Sequence, residues 1–161
     1  VFESYTNILA GNPNNNKVLS TLVIMAEAED KENVKNVDKL ITFLEEHVNT
    51  FDPVVAAPYD ALGVLWGKKK GDLNKAIQYF EKALEKDPDS NGTMQDLGIA
   101  YGMAKRFDKA LEINNRALKK EPGNAKILLN IAITYEQMGD AEKAQRFYQQ
   151  AFELDPSLQR R

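Results

Sequence analysis

The sequence predicts an all-α fold, a solenoid of antiparallel helix pairs, and three observations carry that prediction. The string Ala-x(6)-Ala-x(4)-Pro recurs as Ala76, Ala83 and Pro88, as Ala110, Ala117 and Pro122, and as Ala144, Ala151 and Pro156, each residue 34 positions from its counterpart. A fixed period of this length marks stacked supersecondary units. Between the prolines, apolar residues fall at steps of three and four, which puts one stripe on each of two helices per period. No segment reads as a strand.

Taken in order, Tyr5, Ile8 and Leu9 before Asn12-Pro13 read as the second helix of a truncated repeat, residues 1–13. A divergent repeat spans residues 14–55. Its first helix carries Leu19, Leu22, Val23 and Ala26, a polar expansion runs from Asp30 to Asn33, and a second stripe of Leu40, Ile41, Leu44, Val48 and Phe51 stops at Asp52-Pro53. The repeat at 56–90 opens with Tyr59, Leu62, Gly63 and Trp66 and returns through Ala76, Ile77, Phe80, Ala83 and Leu84. Its second helix reaches Lys86, because Pro88 cannot donate a helical hydrogen bond and pushes Asp87 toward extended geometry. One residue too many separates Trp66 from Gly71, which places an insertion within Lys68-Lys69-Lys70. The repeat at 91–124 uses Met94, Leu97, Gly98 and Tyr101, turns at Ala104-Lys105-Arg106, and returns through Phe107, Ala110, Leu111, Ala117 and Leu118. The repeat at 125–158 uses Leu128, Ile131, Ala132 and Tyr135, then Ala144, Phe147, Tyr148, Ala151 and Leu154, with Gly139 suited to a left-handed helix end. Gly63, Gly98 and Ala132 let helices approach closely, while Tyr59, Trp66, Phe80, Tyr101, Tyr135 and Tyr148 fill the volume between them.

These residues resemble the tetratricopeptide repeat, whose pattern is W-x2-L-G-x2-Y, then A-x3-F, then a closing P. The resemblance is strong from Ala56 onward and looser before it; Asn114 stands where the pattern has an aromatic. It implies a right-handed superhelix of about four and a half repeats that binds a peptide or helix and catalyses nothing. It also implies that first helices line a concave groove, with the position after the small residue pointing inward. Here that position reads Ile24, Val64, Ile99 and Ile133, beside Gln95, Asp96, Lys126, Leu129 and Asn130. Apolar anchors beside polar groups of this kind suit a peptide or an amphipathic helix. The same aliphatics equally suit packing against neighbouring helices. Two ligand chemistries known in the family do not fit. Asp60, Val64, Asp96, Lys126 and Asn130 stand at the places of a cationic carboxylate clamp, and two acids there repel a carboxylate. Thr21, Ala61 and Asp96 interrupt the asparagine ladder of the family's glycosyltransferases, leaving only Asn130.

The chain has 161 residues, 43% of them hydrophobic, with 21 basic and 24 acidic side chains and a net charge of −3. That balance disfavours nucleic acid or an anionic membrane as partner. The longest apolar stretch, Val18 to Ala26, is far short of a membrane span. Without cysteine there is no disulfide, thiolate ligand or cysteine nucleophile, and both cytoplasm and periplasm remain open as compartments. His47 is the one histidine and reads as solvated or half-buried, so no imidazole metal pair can form. Glu27, Glu29, Asp30 and Glu32 lack the glycine-centred pattern of a calcium loop, Lys68 to Lys70 read as a solubilising run, and no cofactor, metal or catalytic set is expected. Asn91-Gly92-Thr93 fits a glycosylation sequon, but Ser90 or Asn91 reads better as a helix cap. The opening at Val1 and the lack of a polar capping helix after Pro156 suggest a piece of a longer protein. That keeps two alternatives beside the scaffold: a docking domain of a larger enzyme such as a glycosyltransferase, or a structural module that self-associates end to end.

Overall fold

The computed structural model describes residues 2–12, 15–27, 31–51 and 55–160, and these are all-helical. They form two compact units, Val1–Asp89 and Ser90–Arg161.

The first unit contains α1 (Phe2–Gly11), α2 (Asn16–Glu27), α3 (Lys31–Phe51), α4 (Ala57–Val64), a π-helical turn over Leu65–Lys70, and α5 (Leu73–Lys86). Leu9, Leu19, Leu40, Leu44, Leu62 and Leu65 are each almost wholly removed from water and make its core. The stripe of α3 starts earlier than its leucines suggest, because Val37 is buried one turn before Leu40 and extends the apolar face. In α1 only part of the expected stripe is buried: Leu9 is, Tyr5 is half-buried, and Ile8 is 48% exposed. The turns at Pro13 and at Asp52-Pro53, Asp30 within the polar expansion, and the side chains of Leu22, Val23, Ala26 and Phe51 lie outside the described residues.

Within the α4–α5 pair, Gly63 is required by close approach. A Cβ there would lie 2.5 Å from the Phe80 ring, which is itself buried. The extra residue between Trp66 and Gly71 does not loop out; it widens the end of the helix into the π turn. Gly71 then takes φ 69°, and the Asp72 N–H donates to the Trp66 carbonyl at 3.0 Å.

The second unit contains α6 (Asn91–Met103), α7 (Phe107–Lys120), α8 (Ala125–Gln137), α9 (Ala141–Leu154) and a terminal 3₁₀ turn, Pro156–Arg160. Each helix before a proline stops where the sequence predicts, and three of the four starts are capped by side chains, α7 after Arg106 being the exception. Ser90, Asn124 and Asp140 accept from backbone N–H groups of the first turns of α6, α8 and α9. Ser90, not Asn91, is therefore the cap of α6. The α6–α7 and α8–α9 turns close alike, with Arg106 N–H on Tyr101 O at 2.8 Å and Asp140 N–H on Tyr135 O at 2.9 Å. The left-handed position in these turns is filled by Lys105 at φ 58° and Gly139 at φ 83°. Here Gly98 faces Asn114, whose Oδ1 would lie 2.4 Å from an added Cβ. Asn114 is wholly buried, and neither end of its amide has a hydrogen-bond partner among the described residues.

Of the aromatic residues expected as core, Tyr59, Phe80 and Tyr101 are buried, whereas Trp66, Tyr135 and Tyr148 are only half-buried. Trp66 keeps its indole N–H at the surface of the packing because that group has a partner, Glu45.

Candidate functional site

The nine sequence-predicted groove residues divide between the two units. In the first, Ile24 on α2 is 66% exposed. Val64 departs from expectation: it is buried, because α4 packs against α2, α3 and α5 and leaves it no open side. In the second unit, Ile99 on α6 is 43% exposed and Ile133 on α8 is 36% exposed, unusual for isoleucine. These two occupy equivalent positions one period apart, on helices that pack against each other. One turn earlier, Gln95 and Asp96 on α6 and Leu129 and Asn130 on α8 are half-buried, and Lys126 is exposed. Met103 extends the α6 strip, being 61% exposed one turn beyond Ile99. Its i+4 spacing from Ile99 is the signal that identifies it, hidden because Met103 lies past Tyr101, the last first-helix residue of the repeat pattern, where α6 ends.

Strip geometry follows from the repeat packing. Leu97, Gly98 and Tyr101 on α6 and Ile131, Ala132 and Thr134 on α8 turn inward. The residues immediately after the small ones, Ile99 and Ile133, are thereby turned out. Thr134 is held by its own helix, its hydroxyl donating to the Asn130 carbonyl at 2.8 Å. The Lys126 ammonium contributes to holding the Asp155 carboxyl below its usual range, after the larger effect of two hydrogen bonds from Ser157.

A polar node in the first unit engages groups that sequence reading treats separately. The Glu45 carboxylate of α3 accepts from the Trp66 indole N–H at 3.1 Å and from the Tyr79 hydroxyl at 3.0 Å. Lys75 lies 3.9 Å from the same oxygen and 3.6 Å from the centre of the Trp66 ring, a cation–π arrangement. Burial and the hydrogen bond to Glu45 push the Tyr79 hydroxyl up to about 12. Lys70 of the basic run pairs with Asp38 of α3, so that residue is part of the structure rather than only a solubilising charge. His47 is buried, contrary to its sequence reading, and burial lowers its pKa. It sits one turn after Leu44 and beside Val48 on the same stripe of α3, where its neighbours Glu45 and Glu46 obscure the periodicity.

Among the described residues no group of three or more His, Asp or Glu side chains is placed to hold a metal ion. No described helix is long and apolar enough to cross a membrane. Glu29 and Asp30 of the acidic cluster, and the side chains of Glu27 and Glu32, lie outside the described residues.

A family model described as tetratricopeptide repeat matches residues 69–121 and again residues 103–160, together more than half of the chain. Solved structures of MamA are similar in fold: one superposes with a TM-score of 0.73 at 21% identity, covering 96% of this chain and 81% of that one. A second, MamA 41-end from Desulfovibrio magneticus RS-1, gives 0.71 at 18% identity over 89% of this chain and 77% of that one. A thermophilic TPR protein of Thermus thermophilus gives 0.66 at 20% identity over 96% and 81%. No curated protein matches the chain.

Proposed function

The chain belongs to the tetratricopeptide repeat family, and from that premise we propose that it is a protein-interaction scaffold whose second unit binds a peptide or helix along α6 and α8. The observation that carries this reading is the exposure of Ile99 and Ile133 at equivalent positions on adjacent helices. A solvated β-branched aliphatic gains by burial against a partner, about 1.5–3 kcal/mol for a full side chain. Gln95, Asp96 and Asn130 flank the two isoleucines with groups that can fix the register of a bound backbone. Ile24, in the first unit, is exposed by itself and is proposed as an apolar contact of that unit alone. The reading is non-catalytic: the one histidine is buried, and the chain has no cysteine. The repeat boundaries at 56–90, 91–124 and 125–158 enter as the binding units, supported by the pairs α4–α5, α6–α7 and α8–α9 that fall inside them.

A peptide-display selection against the chain tests this. Peptides selected on the wild type should lose binding to the Ile99→Asp, Ile133→Asp double variant, whose helix content by circular dichroism should be unchanged. Selected peptides that bind a folded double variant equally well would show the assignment to be wrong.

A further inference from the structure

The apolar surface of the second unit continues along its last hairpin, past Leu129 and Ile133, which border the strip described above. A groove of about 1060 Å³ runs along α8, α9 and the terminal 3₁₀ turn, floored by Leu129, Ile133, Tyr148, Phe152 and Leu158. The Tyr148 and Phe152 rings stack at 5.7 Å, and the Tyr148 hydroxyl donates to Glu136 at 2.8 Å, which fixes the aromatic floor.

The repeat shows what fits such a groove. One period earlier, the equivalent surface of α6 and α7 is occupied by α8 itself, which packs on both helices. Asn114, the counterpart of Tyr148, is wholly buried there, and Gly102, the counterpart of Glu136, lies under Thr134 and Gln137 of α8, both 3.9 Å from an added Cβ. The occupant presents Ile127, Ile131 and Thr134, all buried, at positions i, i+4 and i+7. An amphipathic helix with that spacing is the shape the last hairpin also accepts.

Charge narrows the partner. The two charged side chains lining the last groove are both acidic, Glu136 and Glu153, whereas Gly102 and Lys119 stand at their counterparts in the preceding hairpin. We propose that the α8–α9 groove is a docking site for a basic amphipathic helix, its i, i+4, i+7 apolar stripe on the Tyr148–Phe152 floor and flanking lysines or arginines against Glu136 and Glu153. The groove shares Leu129 and Ile133 with the strip, but Ile99 on α6 does not line it, so Ile99 separates the two sites.

Two synthetic helical peptides test it, with one shared Ile/Leu stripe at the α8 spacing and flanks that are all Lys in one and all Glu in the other. Fluorescence anisotropy at low salt should show the lysine peptide binding about tenfold or more tightly than the glutamate peptide. Phe152→Asp, and independently Leu158→Asp, should each weaken the lysine peptide by about tenfold or more while circular dichroism stays unchanged. Glu153→Lys should narrow or invert the preference, and Ile99→Asp should leave it intact. Equal affinity for the two peptides, or binding unaffected by both aspartate variants in folded protein, overturns the proposal.

Discussion

The α4–α5 and α6–α7 hairpins solve the same packing problem with different side chains. In the first, Gly63 receives the ring of Phe80; in the second, Gly98 receives the amide of Asn114. Both pairs bring helices close, yet one fills the space with an aromatic that needs no partner and the other with two polar atoms that have none among the described residues. The contrast shows that the glycine sets the approach of the helices, while the facing residue determines how much stability that approach yields.

The largest test breaks the comparison at those facing residues. Phe80→Ala removes a buried ring and should cost about 3–5 kcal/mol in urea unfolding. Asn114→Leu removes an unsatisfied amide of similar shape and should stabilise the chain by about 1 kcal/mol. Destabilisation by Asn114→Leu would show that the amide has a partner in solution, for instance an ordered water.

A smaller effect distinguishes the turns. Lys105 at φ 58° holds a conformation that its counterparts leave to Gly71 and Gly139. Lys105→Gly should therefore raise stability by about 0.5–1 kcal/mol, and Gly139→Ala should lower it by about 1 kcal/mol. Thermal melts of the two variants moving in the same direction would contradict this.

The smallest expected effect is a pH dependence just below neutrality in the first unit, which has the one histidine. Burial lowers the folded pKa of His47 below its unfolded value, so the unfolded state binds the extra proton first. Stability is then complete above the unfolded value, about 6.5, and declines as pH falls toward the folded one. Hydrogen exchange at neutral and mildly acidic pH should show protection in α3 falling on acidification, and His47→Gln should flatten that slope.

Much of this fold is legible in the sequence because its signals are local. Prolines at 88, 122 and 156 end helices, Ser90, Asn124 and Asp140 start them, and glycine or a tolerated lysine closes the turns. What escapes the sequence depends on neighbours. The spacing from Trp66 to Gly71 gives the surplus residue but not its fate; the hydrogen bonds of a π turn absorb it. Val64 and Ile99 have the same repeat position, but only the surroundings bury the first and expose the second. His47 looks polar beside two glutamates and is nonetheless part of an apolar stripe. Tyr148 has the pattern of a core aromatic, yet it is core only where another helix covers it.

Glu45 has a consequence for how the array comes apart. Stability in stacked repeats is approximately a sum of terms within repeats and between neighbours, so the weakest junction is where unfolding stops or spreads. The divergent α3 meets the first regular hairpin at that carboxylate, which gathers Trp66, Tyr79 and Lys75. Such a clasp couples the irregular helices to the regular one behind them, so the first unit is expected to melt as one cooperative block, and hydrogen exchange in α2 and α3 that opens well before α5 would show that it unzips from its N-terminal end instead.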